Sequence, residues 1–143
     1  MKAITWVVLA GALLATGCSS EPQTCVDWID VSDPQRAYDA ADAVVIGSVE
    51  ATGDTQRMYG VDAAVHALSV TEILKGDLAP GTLEVASTPV TCTAGGIYPE
   101  GDPLEVTGDV IVFLRAPDEV KAWTLITPYD TVLPLPGDGS LPF

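Results

Sequence analysis

Apolar and polar residues alternate along several short segments of this chain, and such alternation is typical of β-strands with one buried face. The segment around Leu83 and Val85 shows it most simply, because Glu84 separates the two apolar positions. Another segment, residues 109–114, is apolar enough to indicate a central strand. The predicted strands are residues 43–49, 61–74, 83–87, 109–114 and 122–126.

Turn and cap residues divide these segments. Ser32-Asp33-Pro34 is a helix-start signal and predicts a short helix over residues 34–41. Gly47 interrupts the first strand and predicts a bulge or a close backbone approach. Residues 53–60 are expected to form a polar, flexible loop, and the Pro-rich residues 128–143 an irregular tail. One helix and five strands predict a mainly β domain, either a small barrel or a compressed sandwich.

The N-terminus differs from the rest of the chain. An uncharged apolar run over residues 4–15 is short for a membrane span but suits the hydrophobic region of an export signal. Ala15-Thr16-Gly17-Cys18 follows directly and resembles the lipobox of bacterial lipoproteins. The resemblance implies that residues 1–17 are cleaved and that the Cys18 sulfur carries a diacylglyceryl group. An ordinary secretory peptide and an uncleaved membrane helix are the alternatives.

The lipobox resemblance decides the expected state of the three cysteines. If Cys18 carries lipid, Cys25 and Cys92 remain, and an exported chain folds in an oxidising compartment. We therefore expect a Cys25–Cys92 disulfide. The polar residues 18–24 are expected to act as a lipidated tether, and residues 25–127 to form the domain.

Charge limits the possible partners. The chain carries 20 acidic residues against six Lys and Arg, for a net charge of −14 at pH 7. Such a surface repels phosphate backbones, so nucleic-acid binding is not expected. It names no partner by itself.

The order of these motifs resembles the netrin-like domain of tissue inhibitors of metalloproteinases, an OB-fold. The similarity rests on an early cysteine (Cys25), on the helix leading into residues 41–49, and on the strands ending at Gly76 and Leu114. It spans about residues 25–127 and implies a five-stranded Greek-key barrel. In the animal inhibitors a cysteine at the mature N-terminus binds the protease zinc. Here Cys25 is internal and lacks a free amine, so the resemblance does not imply that activity.

Catalytic signatures are weak. His66 is the only histidine, which excludes a multi-histidine metal site, and its parity with Leu68 predicts a packed position. No nucleophile elbow is present. Acidic residues recur over 27–33 and 100–105 without the spacing of an EF-hand, and solvated loops are the favoured interpretation. Trp28 and Trp123 are expected to pack in the core rather than to serve as stacking platforms.

The expected function is that of an interaction module at the extracytoplasmic face of the cell membrane, with no cofactor. Its candidate contact surface is the barrel mouth, formed by residues 53–60 and 91–103, with Tyr98, Glu100 and Asp102 in the second loop. The partner would be an envelope protein or glycan. Two alternatives stay open: a hydrolase that uses Glu100 or Asp102, and a passive acidic spacer.

Overall fold

The computed structural model describes residues 22–118 and 121–143, and most of its regular structure is β-sheet. The elements are α1 (Pro34–Ala40), β1 (Ala43–Met58), β2 (Val61–Lys75), β3 (Thr82–Ala86), β4 (Val110–Arg115), β5 (Trp123–Leu125) and β6 (Val132–Pro134). A search of the described residues finds no helix with the length and apolarity needed to cross a bilayer. The candidate signal peptide and Cys18 lie outside the described residues.

Helix α1 begins where the sequence predicts. The Asp33 side chain caps it by accepting a 2.9 Å hydrogen bond from the backbone N–H of Gln35, and Pro34 occupies the first turn. Ala37 is fully buried and Tyr38 half-buried, so this face of the helix packs on the sheet. The predicted short helix is confirmed, and it is the one α-helix in the described part of the chain.

Five strands form a closed ring. β1 pairs with β2, β2 with β3, β3 with β5, β5 with β4, and β4 returns to β1. Every pairing is antiparallel except β3 with β5, which is parallel. Residues 43–47 of β1 close the ring because they pair with β4 on one edge while Val44–Gly47 also pair with β2 on the other.

Gly47 makes this double pairing possible. The β1–β2 register shifts between Ile46 and Gly47, and a Cβ atom at Gly47 would overlap the carbonyl oxygen of Ser69. A side chain there would push the two backbones apart, so only glycine suits this close approach. The predicted bulge and close approach at Gly47 are both present.

The apolar runs of β1 and β4 are buried on both faces. Val45, Val112 and Leu114 belong to a core cluster that also contains Leu68, Val85 and Leu125 from the other ring strands. The alternate residues of β1 and β4 belong to a second cluster. This cluster also contains residues in and on either side of α1 and the residue that follows β5. The members of the second cluster are Val31, Ala37, Ala41, Val44, Ile46, Ile111, Phe113 and Ile126.

Two sequence expectations about the strands differ from the structure. The expected count of five is not confirmed, because β6 pairs with β4 inside the Pro-rich tail. The prediction of a flexible loop over residues 53–60 is wrong for most of its length, since residues 55–58 pair with residues 61–64. These residues are polar because this part of the hairpin is largely exposed to solvent.

The disulfide between Cys25 and Cys92 is present and confirms the expected pairing. It joins the segment before α1 to the loop after β3, with 5.5 Å between the two Cα atoms. Neighbouring hydrogen bonds hold the same segment in place: the Thr24 N–H donates to the Tyr59 carbonyl, and the Thr91 hydroxyl donates to the Thr24 carbonyl. Residues next to the expected tether are therefore packed against the domain.

Candidate functional site

A buried polar network lies beneath the loop that follows β3. Asp102 is its centre and accepts hydrogen bonds from the Ser87 hydroxyl and, at 2.9 Å, from the Leu104 N–H. The Nε2 atom of His66 lies 2.7 Å from the second carboxylate oxygen of Asp102. The side chains of His66 and Asp102 are only 4% and 7% exposed. Residues far apart in the sequence thus share one carboxylate in the interior.

Tyr98 extends this network to the backbone of β2. Its hydroxyl accepts a 3.0 Å hydrogen bond from the Ala64 N–H and donates a 2.8 Å hydrogen bond to the Ser87 carbonyl. Burial raises the pKa of Tyr98 to about 12, so the hydroxyl remains protonated at neutral pH and can donate. Tyr98 therefore links the loop to β2 and to the residue that follows β3.

The order of groups in the network differs from that of a nucleophile–base–acid triad. The Ser87 hydroxyl donates to Asp102 rather than to His66, so the imidazole is not placed to take the serine proton. Ser87 is also fully buried. Among the described residues, Nδ1 of His66 is a buried atom with no hydrogen-bond partner. This geometry positions the loop, and it offers no exposed nucleophile.

The structure separates the three loop residues singled out from sequence. Tyr98 and Asp102 turn inward and take part in the network, whereas Glu100 is exposed. His66 is 3% exposed, in keeping with the packed position that strand parity predicts. Trp28 and Trp123 are both half-buried, and Trp28 makes an edge-to-face contact with Tyr59 at 5.8 Å between ring centroids.

A cavity of 360 Å³ lies at one end of the ring, which we call the mouth cavity. One wall comes from the end of the β1–β2 hairpin and the other from the end of β4, the connection after it and β5. The residues that define it are Arg57, Met58 and Tyr59 on the first wall and Arg115, Asp118 and Thr124 on the second. Two of the chain's six Lys and Arg residues therefore border a single cavity.

The sequence predicted a contact surface that joins residues 53–60 to residues 91–103. The hairpin end does line the mouth cavity, but no residue of 91–103 does, and neither arginine was singled out. Arg57 and Arg115 are 58 positions apart by their residue numbers, and they come to one cavity through the successive pairings from the β1–β2 hairpin across β3 and β5 to β4. Their rarity in an acidic chain was the available signal. Arg57 also lies 3.1 Å from the carboxylate of Asp62. Within residues 22–118 and 121–143, no group of three or more His, Cys, Asp or Glu side chains could hold a metal ion.

Comparisons with known proteins supply no further assignment. No protein-family model, curated protein or solved structure matches this chain. Any function must therefore be argued from the residues and geometry described above.

Proposed function

We propose that this protein is a lipid-anchored, extracytoplasmic binding module, without catalytic activity, whose domain is an OB-like barrel. The lipobox-like segment ending at Cys18 supports the anchor. The ring order β1-β2-β3-β5-β4 supports the OB-like assignment, because the OB-fold is a five-stranded Greek-key barrel. Fold alone names no ligand, so the binding site is argued from the mouth cavity.

The mouth cavity is the observation that carries this proposal. OB-folds bind ligands on strands 2 and 3 and on the loops joining strands 1–2 and 4–5. In this chain Tyr59 of the first connection and Ala116 and Asp118 of the second line the mouth cavity. The cavity therefore lies beside the two loops of the ligand site expected for an OB-fold, and the described residues that line it include none from β2 or β3.

The charge of the lining suggests the chemistry of the ligand. The chain has a net charge of −14, yet the described residues that border the mouth cavity carry two guanidinium groups and only one carboxylate, that of Asp118. Among the described residues, Arg115 takes part in no ion pair within 4.0 Å. Guanidinium groups bind carboxylates and phosphates through paired hydrogen bonds. We assign the cavity to an anionic group on an envelope protein or glycan.

The proposed anchor would hold this cavity near the membrane. The Thr24 N–H bonds to the Tyr59 carbonyl at 2.9 Å, and Tyr59 lines the cavity. Only four peptide units separate the Cα atoms of Cys18 and Pro22, and a fully extended chain covers about 14 Å over that length. A lipid on Cys18 therefore keeps the mouth cavity close to the bilayer surface, where envelope components would meet it.

The test reverses the charge of one arginine that lines the cavity and, in a separate variant, of one arginine outside it. We expect Arg115→Glu to reduce capture of the partner at least about tenfold, because it places a carboxylate where an anionic group would bind. Arg36→Glu is the matched control, since it changes the net charge equally on the exposed surface of α1. Each variant is immobilised, exposed to detergent-solubilised envelope from the host, and compared by quantitative mass spectrometry.

One and the same component should be enriched by the wild type and by Arg36→Glu and lost with Arg115→Glu. If the wild type and both variants enriched the same component equally, the mouth cavity would not be its binding site. A complete absence of enrichment would favour the passive-spacer alternative. The hydrolase alternative has less support, because Asp102 is buried, accepts hydrogen bonds from Ser87 and Leu104, and lies 2.7 Å from Nε2 of His66.

A further inference from the structure

A second surface, separate from the mouth cavity, combines exposed apolar side chains with carboxylates. Two hollows of 400 and 590 Å³ lie on either side of Tyr129 and Asp130, which line both of them. The first is formed with residues 26–31, which precede α1, and the second with residues 100–103 and Val106. We call the combined surface the acidic groove.

The apolar part of the acidic groove is unusually exposed. Ile29 is 55% exposed and Tyr129 is 41% exposed. Among the described residues, the only other large hydrophobic side chain exposed to this degree is Leu141, which does not line the groove. Trp28 lies beside Ile29 and is half-buried. Apolar side chains that are exposed together and rimmed by charge are typical of a site that a partner covers.

The charged part of the groove has a single sign. Asp27, Asp30 and Asp130 line the first hollow, and Glu100 and Asp130 line the second, whereas no Lys or Arg lines either. Asp102 also borders the second hollow, but its carboxylate is buried in the polar network and is not available to a partner. Hydrogen bonds from the Ser32 N–H and hydroxyl hold the pKa of Asp30 below its usual value, so this carboxylate is ionised at neutral pH. The guanidinium group of the exposed Arg36 lies 3.8 Å from the Asp30 carboxylate but does not line either hollow.

We propose that the acidic groove binds a cationic segment of a partner protein in which Lys or Arg residues are interspersed with large apolar side chains. Carboxylates of the rim would pair with the cationic groups, and Ile29 would contact the apolar side chains. The rings of Trp28 and Tyr129 can also attract a cation over their faces. Long Lys and Arg stems suit such a surface because they cover apolar area while their charged ends reach the carboxylates.

This site uses residues different from those of the mouth cavity and takes ligands of opposite charge. The proposal for the acidic groove is therefore independent of the proposal for the mouth cavity, and each is tested by its own variants. An acidic partner would be repelled from the groove, because every charged group that lines it is a carboxylate.

Isothermal titration of the purified protein with synthetic peptides tests the proposal. The probe is a short, end-blocked peptide of alternating lysine and leucine, and two counterparts replace leucine by alanine or lysine by glutamate. We expect the lysine–leucine peptide to bind, the lysine–alanine peptide to bind at least about tenfold more weakly, and the glutamate–leucine peptide not to bind. Equal affinity for the first two would mean attraction by net charge alone and would overturn the proposal.

Matched variants locate the binding surface. Ile29→Ser and Tyr129→Ser should each weaken binding of the lysine–leucine peptide by about tenfold or more, since each removes exposed apolar area from the groove. Leu141→Ser removes a similarly exposed side chain elsewhere and should leave the affinity unchanged.

A second pair of variants separates local from global charge. Asp130→Asn should weaken binding several-fold, while Asp54→Asn, which removes an exposed charge outside the groove, should have a smaller effect. Asparagine suits this test because Asp130 has a positive φ of 56°, which asparagine tolerates. The assignment would be refuted if Leu141→Ser reduced the peptide affinity as much as Ile29→Ser, and Asp54→Asn as much as Asp130→Asn. It would also be refuted if the lysine–leucine peptide did not bind to the wild type.

Discussion

Replacement of Cys25 and Cys92 together by serine is expected to lower the free energy of unfolding by about 4 kcal/mol. The disulfide spans 67 positions of sequence, and its loss releases a loop of that length in the unfolded chain. The native geometry should change little, because the Thr91 hydroxyl donates to the Thr24 carbonyl and the Cys92 N–H donates to the Gln23 side chain, and both bonds hold the two segments together. Since a domain of this size is stable by roughly 5–15 kcal/mol, the variant should lose a large share of its stability.

Equilibrium denaturation in urea measures this loss. The wild type in the presence of a reductant is the control, and it should unfold at the same denaturant concentration as the double variant. The single variants Cys25→Ser and Cys92→Ser should behave alike. A decrease smaller than about 1 kcal/mol would contradict a role for the disulfide in stabilising the fold.

Asp102→Ala is expected to lower the free energy of unfolding by about 3–5 kcal/mol, an effect as large as loss of the disulfide. The Ser87 hydroxyl, the Leu104 N–H and the His66 imidazole would all lose their shared acceptor. Each of these groups is held in the interior, where an unpaired donor costs about 1–3 kcal/mol. Asp102→Asn should fall between Asp102→Ala and the wild type, because the amide oxygen can still accept from two of the three donors.

Glu100→Ala is the matched control for Asp102→Ala. It removes a carboxylate from the same loop, but Glu100 is exposed and should contribute within about 0.5 kcal/mol. Thermal and urea denaturation of the three variants would give the comparison. Similar stabilities for Asp102→Ala and Glu100→Ala would show that the buried network does not support the loop.

Much of the fold follows from local sequence patterns. Ser32-Asp33-Pro34 places the helix start, and the apolar run of β4 correctly indicates a central strand, which pairs with β1, β5 and β6. Gly47 marks the bulge because no other residue permits so close an approach to the Ser69 carbonyl. These features depend on local chemistry, which a single sequence displays.

The missed features depend on contacts between distant residues. Strand β6 has three residues, ends in Pro134 and forms only by pairing with β4, so its apolar pattern is too short to predict it. Residues 55–58 lack an apolar alternation because solvent covers most of this hairpin, although their backbone is fully paired. Strand identity in these segments comes from the backbone partner and not from the side chains.

The candidate sites were predicted less completely than the fold. Strand parity placed His66 inside, but no pattern shows that its partner is Asp102, 36 positions away. The acidic loop residues looked equivalent in sequence, whereas the structure buries Asp102 and exposes Glu100. Ile29 and Tyr129 lie near opposite ends of the domain's sequence. They line the same hollow because residues 26–31 lie beside residues 127–130 in the fold.

The mass of the intact protein extracted from membranes of its native host tests the anchored, disulfide-bonded state most directly. We predict a chain that begins at Cys18 and carries acyl groups, with no thiol alkylated before reduction and two alkylated after it. A chain with an unmodified Cys18 thiol, or with Cys25 and Cys92 alkylated before reduction, would contradict the proposed lipid-anchored module.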